Sequence, residues 1–249
     1  MGIIVKSRNE IAIMREAGRI VSRTLQTLAE DIRPGMRTQE LDSICVQELT
    51  RYGARSSFKG YRGFPANLCV SINNEIVHGI PGERILREGD VVSLDVGAVF
   101  DGFQGDAAIT VGIGNISPEA RRLLEATEGA LRAGIAAAKK RARLGDISSA
   151  IQNYAESRGF SVVREYTGHG IGREMHEEPQ IPNFGLPGQG IVLREGMTLA
   201  IEPMVNAGDW RTVVCDDQWT VVTADGSLSA HFEHTIAITD REPEILTAP

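Results

Sequence analysis

The chain has 249 residues, 42% of them hydrophobic, enough for a sizeable core in one large domain or two small ones. Its 26 basic and 33 acidic residues are interspersed and leave a net charge of −7, which argues against the basic stripe of a sequence-specific nucleic-acid binder. Three cysteines without CxxC spacing point to a reduced, cytosolic setting, and neither a signal peptide nor an apolar run of about 18 residues for a membrane span is found.

The start, MGIIVKSRNE, places Lys6 where N-myristoylation needs Ser or Thr. Residues 7–32 read as an amphipathic helix. Ser7 and Glu10 form a capping box, and Met14, Ala17, Val21, Leu25 and Leu28 recur at helical spacing. Arg33-Pro34-Gly35 stops it, and a second helix runs from near Thr38 to before Gly53. Strands and turns follow from about 56 to 112. Ser117-Pro118 starts a third helix, to about Lys140, and Asp146 to Arg158 reads as a fourth. Residues 160–246 read as strands and loops. Two helices followed by strands therefore occur twice, at roughly 1–112 and 113–249. This suggests one α+β catalytic domain over 1–249, built as an internal duplication with helices covering one face of a sheet.

A repeated phrase supports the duplication. LREGDVVSLD (86–95) returns as LREGMTLAIE (193–202). Alternation along a strand puts Val92, Leu94 and Val96 on one face and Ser93 and Asp95 on the other, and likewise separates Leu199 and Ile201 from Ala200 and Glu202. GDAAITV (105–111) aligns with FEHTIAI (232–238), pairing Asp106 with Glu233. Asp101-Gly102 is a hairpin turn between Asp95 and Asp106, and Asp225-Gly226 offers a similar turn before Glu233. A pseudo-twofold axis would bring the four acids together. Four close carboxylates repel one another, so they are either partly protonated or neutralised by a cation. A divalent metal is the simpler solution.

Of five histidines, His169 stands among Gly168, Gly170 and Gly172, which permit close backbone approach to a buried ion. His231 shares the face of Glu233 and His234 does not; both read as structural. VGIGNIS (111–117) reads as a loop and helix cap rather than a dinucleotide fingerprint. HEEP is not HExxH, and GxSxG and GxxxxGK[ST] are absent.

The ordered set Asp95, Asp106, His169, Glu202 and Glu233, within NNEIVHGIP, SLDVGA, DGFQGD, YTGHGIGREMHEEP, IEPMV and SLSAHFEHT, resembles the five-ligand signature of the type I methionine aminopeptidases over nearly the whole chain. The resemblance implies the α+β pita-bread fold: two pseudo-twofold-related halves, an antiparallel sheet covered by helices, and a metal site between the halves. It implies two divalent metal ions, Co, Mn, Fe or Zn. Asp106 and Glu233 would bridge them, Asp95 would chelate one, and His169 with Glu202 would complete the other. A water polarised between them would attack the first peptide carbonyl, with Glu202 as general base and then acid. His176 would steady the oxyanion, and His78 would contact the scissile nitrogen. Phe58, Tyr61, Phe64, Cys69, Met175 and Trp219 would hold the methionine. Phe58, Phe64 and Met175 replace residues of some family members but keep the wall apolar. A monovalent cation, Na or K, is implied near the backbone oxygens of Asn73, Glu75 and Ser229.

The implied substrates are peptides and nascent chains that begin with methionine and carry a small second residue, met at the ribosome in the cytoplasm by a monomer. The chain's own Met1-Gly2 start fits that preference. Prolidases and aminopeptidase P of the same fold usually carry an extra N-terminal domain, for which the first helix leaves no room. Type II enzymes carry a long insertion between the last two acidic ligands, for which the 31-residue step from Glu202 to Glu233 is too short. A non-catalytic binding module on this fold would be expected to lose ligands, and all five are present.

Overall fold

The computed structural model describes residues 2–248; Met1, and with it the chain's own Met1-Gly2 bond, lies outside the described residues. Helix α1 (Arg8–Asp31) begins as expected. The Ser7 amide donates to Glu10 Oε2 at 2.9 Å, and the Glu10 amide donates to Ser7 Oγ at 3.3 Å. Its stripe of Met14, Ala17, Val21, Leu25 and Leu28 is buried. Helix α2 (Thr38–Arg51) follows, then strands β1 (Arg55–Ser56), β2 (Cys69–Ile72), β3 (Glu75–Val77), β4 (Val91–Phe100) and β5 (Phe103–Gly112). Asp101 and Gly102 join β4 to β5 with φ of 46° and 77°, the left-handed pair that a two-residue hairpin requires.

The second half repeats the helix pair. Helix α3 (Pro118–Ala137) is capped by Ser117 Oγ, which accepts from the Ala120 amide, and it stops three residues before Lys140. Helix α4 (Leu144–Glu156) starts two residues before the expected Asp146. That carboxylate caps from inside the first turn, accepting from the Arg143 amide at 2.7 Å, rather than preceding the helix. The remaining strands are β6 (Ser161–Val162), β7 (Thr167–Gly170), β8 (Glu177–Pro182), β9 (Thr198–Ile201), β10 (Met204–Asn206), β11 (Thr212–Val214), β12 (Val221–Thr223), β13 (Ser229–His231), β14 (Glu233–Ala237) and β15 (Glu244–Ile245).

One antiparallel sheet runs β1-β4-β5-β14-β9-β7-β8, with β2 beside β4 and β15 beside β14. Its centre is the β5–β14 pair, Ala107 opposite His234 and Ala108 opposite Glu233, with β4 and β9 as the matching outer neighbours. Val92, Leu94, Val96 and Ala107 pack beneath α1 and α2. Leu199, Ile201 and Ile236 pack beneath α3 and α4. Since Ala107 faces His234 across the sheet, both helical layers lie on one face. The other face carries the acids. This is the expected pita-bread arrangement of an antiparallel sheet under helices.

One local expectation fails. Asp225-Gly226 forms a turn, with Gly226 at φ 75°, but it leads from β12 to β13 and does not join β9 to β14. The chain between those two strands instead builds two small sheets, β13-β10-β6 and β11-β12-β3. Strand β12 borrows β3 from the first half, pairing Val221 with Val77, so the excursion stitches the halves together.

Candidate active site and metal centre

Sheet register assembles the acids. Asp95 lies opposite Ala108 on β4–β5, and Asp106 lies opposite Gly97. Glu233 lies opposite Ala108 from the other side, so Asp95 and Glu233 flank one alanine on a shared face. His169 pairs with Ala200, two residues before Glu202, which follows the end of β9. Strand β7 reaches this position only because its flanking residues lack side chains. A Cβ on Gly168 would collide with the carbonyl oxygen of Ala200, and one on Gly170 with that of Glu178.

Two tight groups result: ligand atoms of Asp106, His169 and Glu233 all lie within 4.8 Å of one another, as do those of Glu202, His231 and Glu233. Asp95 belongs to neither group but lines the same cavity. Asp106, His169, His231 and Glu233 are buried, whereas Asp95 and Glu202 keep a partly open edge.

The electrostatics call for a cation. Burial pushes the Asp95 carboxyl up to about 7. Burial, and then repulsion from neighbouring acids, raises Asp106, Glu202 and Glu233 well above the usual carboxylate range. Buried oxygens of Asp95 (Oδ1), Asp106 (Oδ1) and Glu233 (Oε1) have no hydrogen-bond partner. His169 supplies the sharpest observation. Its Nδ1 lies 2.8 Å from the carbonyl oxygen of Gly170, which can only accept, so the proton sits on Nδ1. Burial holds the ring's value down to about 3, so it is neutral. The Nε2 lone pair therefore points toward Glu202 at 3.5 Å and Asp106 at 4.0 Å. A lone pair facing two carboxylates is repulsive unless an acid proton or a cation lies between them. A mixed nitrogen and oxygen donor set of this kind fits first-row divalent metals. These residues fit a divalent metal centre.

A cavity of about 150 Å³ opens above the acids. The thirteen side chains expected to hold metal, perform catalysis or bind methionine all line it, and Arg62 is its one additional wall residue among those described. Phe58 meets Phe64 edge-on at 6.5 Å, and Phe64 meets Trp219 at 5.2 Å, so Trp219 from the second half closes a wall begun in the first. Cys69 is buried there, and burial with the nearby acids pushes its thiol well up, making it an apolar wall atom rather than a nucleophile. His176 stacks on Tyr61, whose hydroxyl lies 2.8 Å from Nδ1, and its ring centre is 4.3 Å from that of His169. His78 stands at φ 61°, a left-handed position costly for a non-glycine residue, with its ring edge-on to Trp219 and Tyr166.

The Asn73 region is a separate place. The Asn73 carbonyl accepts from the Ser229 amide at 2.8 Å. The Glu75 carboxylate is engaged by the Ile72 amide and Arg84. Sequence reasoning missed Arg62, which carries no motif, and assigned His231 to structure. Its position on the face of Glu233 was the available signal. His234, by contrast, points away and bonds Thr247 Oγ1 at 2.8 Å.

The description "Metallopeptidase family M24" belongs to a family model that matches residues 12–240. A methionine aminopeptidase of Clostridium perfringens is 56% identical over 245 residues, covering 98% of each chain. Methionine aminopeptidase 1 of Bacillus subtilis is 54% identical, covering 98% of this chain and 99% of that one. The crystal structure of a methionine aminopeptidase from Thermotoga maritima superposes with a TM-score of 0.98 at 48% identity over the full length of both chains.

Proposed function

Because the chain belongs to metallopeptidase family M24, we propose that it is a metal-dependent aminopeptidase removing the N-terminal methionine of peptides and nascent proteins with a small second residue. The observation that carries this reading is the neutral His169 aiming its lone pair at Glu202 and Asp106 beneath an apolar cavity. The 1–249 chain acts as one catalytic unit, since the residues of both halves line that cavity.

Asp95, Asp106, His169, Glu202 and Glu233 would hold two divalent cations, with Asp106 and Glu233 shared. Such a pair supplies Lewis acidity and makes a coordinated water nucleophilic near neutral pH. Glu202 would take the proton from the attacking water and pass it to the departing amine. With the Tyr61 hydroxyl donating across its 2.8 Å contact to His176 Nδ1, Nε2–H would be the donor for the carbonyl oxygen as negative charge develops. His78, fixed by its backbone and by Trp219, contacts the scissile nitrogen. Phe58, Tyr61, Phe64, Cys69, Met175 and Trp219 enclose the thioether, where sulfur–aromatic contacts contribute about 0.3–1.5 kcal/mol each. Co, Mn, Fe and Zn all suit the donors, and a Na or K ion near Asn73, Glu75 and Ser229 belongs to the same reading.

No described helix is long and apolar enough to cross a membrane. The proposed setting is the cytoplasm, where a monomer meets nascent chains at the ribosome. Incubating the metal-free protein with a Met-Ala-Ser peptide plus Mn²⁺ or Co²⁺ tests the proposal against a proline-containing peptide. Metal-dependent release of methionine from the first supports it. Preferential cleavage beside proline, or no metal-dependent release, overturns it.

A further inference from the structure

His231 is buried among charged groups, and the proposed chemistry does not use it. Strand β13 delivers it, pairing Met204 with His231. Its main chain is fastened to the first half: Thr110 Oγ1 accepts from the His231 amide at 3.0 Å and donates to its carbonyl at 2.6 Å, with Ser93 Oγ 2.8 Å behind. That anchorage fixes the main chain from which the ring enters the site.

The ring's Nε2 is buried without a hydrogen-bond partner, 3.7 Å from Glu202 Oε2 and 3.8 Å from Glu233 Oε2. A buried, unpaired polar atom is costly, so its position requires a partner. Glu202 is divided between two imidazoles, Oε1 toward His169 and Oε2 toward His231. The two rings differ in one respect. Gly170 fixes the proton of His169 on Nδ1, whereas the ring of His231 makes no hydrogen bond among the described residues. Its proton is free to sit on Nε2, facing the two carboxylates, where a lone pair would be repelled.

We propose that His231 is a positioning residue for the metal centre. Its Nε2–H points between Oε2 of Glu202 and Oε2 of Glu233 and would orient both carboxylates, so that their other oxygens face the cations. This rests on the metallopeptidase reading above. A neutral donor suits the task because it orients the carboxylates without cancelling the charge that binds metal. Outer donors of this kind govern metal affinity because they fix the direction of the ligands they touch.

The test compares metal-free wild type, His231→Leu and His231→Gln by calorimetric titration with Co²⁺, by the visible absorption of the Co²⁺-loaded proteins, and by thermal unfolding without metal. His231→Phe replaces the leucine variant should that chain not fold. The apolar variant is expected to lose about 10–100-fold in Co²⁺ affinity while its metal-free unfolding temperature stays at or above that of wild type. His231→Gln, which restores an N–H donor, is expected to bind Co²⁺ within about threefold of wild type, the outer-donor loss being largely rescued, with an unchanged absorption spectrum. Wild-type affinity in the apolar variant would overturn the inference. So would an altered spectrum in His231→Gln, which would make the imidazole a direct ligand. Failure of the wild type itself to bind Co²⁺ would remove the metallopeptidase reading, and this inference with it.

Discussion

The two halves place equivalent acids on equivalent strands but reach that arrangement by different routes. In the first half, β4 and β5 are joined by Asp101 and Gly102 alone, and Asp95 and Asp106 face the site within one hairpin. In the second, β9 and β14 pair just as directly, yet β10 to β13 intervene. That excursion carries Trp219 to the cavity wall and His231 to the buried side of Glu202 and Glu233. The first half supplies acids cheaply in chain length. The extra residues of the second half add one wall residue, Trp219, and one imidazole, His231, so the chemistry is asymmetric although the scaffold is repeated.

The strongest way to break this comparison is to alter one acid in each half. Glu202→Gln keeps shape and a donor but removes the proton carrier, so turnover should fall by at least about 10²–10⁴-fold while thermal unfolding changes little. Asp95→Asn, its counterpart in the first half, should act mainly by weakening Co²⁺ binding, partly recoverable at high metal concentration. Steady-state kinetics across a Co²⁺ series separates the two. Equal behaviour of the variants would erase the division of labour.

An intermediate effect concerns pH. The site carboxyls stand above their ordinary values in the fold, Asp95 moving from 3.8 to about 7. Their stabilising contribution is complete below the unfolded value and is lost as pH rises through the folded one. The histidines run the other way: His169 and His231 fall from 6.5 to about 3, so theirs is complete above 6.5 and is lost as pH falls. The two slopes oppose each other below pH 6.5 and only the carboxylate loss remains above it. The metal-free protein should therefore lose unfolding temperature as pH rises from about 6.5 through the folded value of Asp95, about 7. Saturating Co²⁺ should flatten this dependence and add about 2.7 kcal/mol at a hundred times its Kd. Scanning calorimetry with and without Co²⁺ checks both.

The smallest effect separates the two aspartate–glycine turns. Gly102 and Gly226 both have left-handed φ, so alanine at either should cost about 1–2 kcal/mol in urea unfolding. Only Gly102→Ala strains the hairpin that spaces Asp95 from Asp106. It alone should also weaken Co²⁺ binding, by a few fold.

Much of the fold was legible because its signals are short-range. The Ser7–Glu10 cap spans three residues, the β4–β5 turn spans two, and alternation along β4 depends only on strand geometry. The four acids were legible in repeated phrases and His169 in its flanking glycines, while the ordered set of five was legible through the family resemblance. The failures are long-range. Nothing near Asp225-Gly226 in sequence reveals that β12 will pair with β3, and nothing near His231 reveals that Thr110, itself bonded by Ser93, will hold its backbone. Arg62 has no motif; it joins the cavity through a left-handed turn between aromatic residues.

The sequence by itself determined the helices, the alternating strands and the acids that face away from the helical layer, because each follows from interactions between residues a few positions apart. Tertiary structure alone decided how Glu202 is shared between His169 and His231, and that Thr110 of the first half fastens the His231 main chain beside the acids. Those outcomes depend on the direction and burial of groups far apart in sequence, and such directions exist only once the strands have packed.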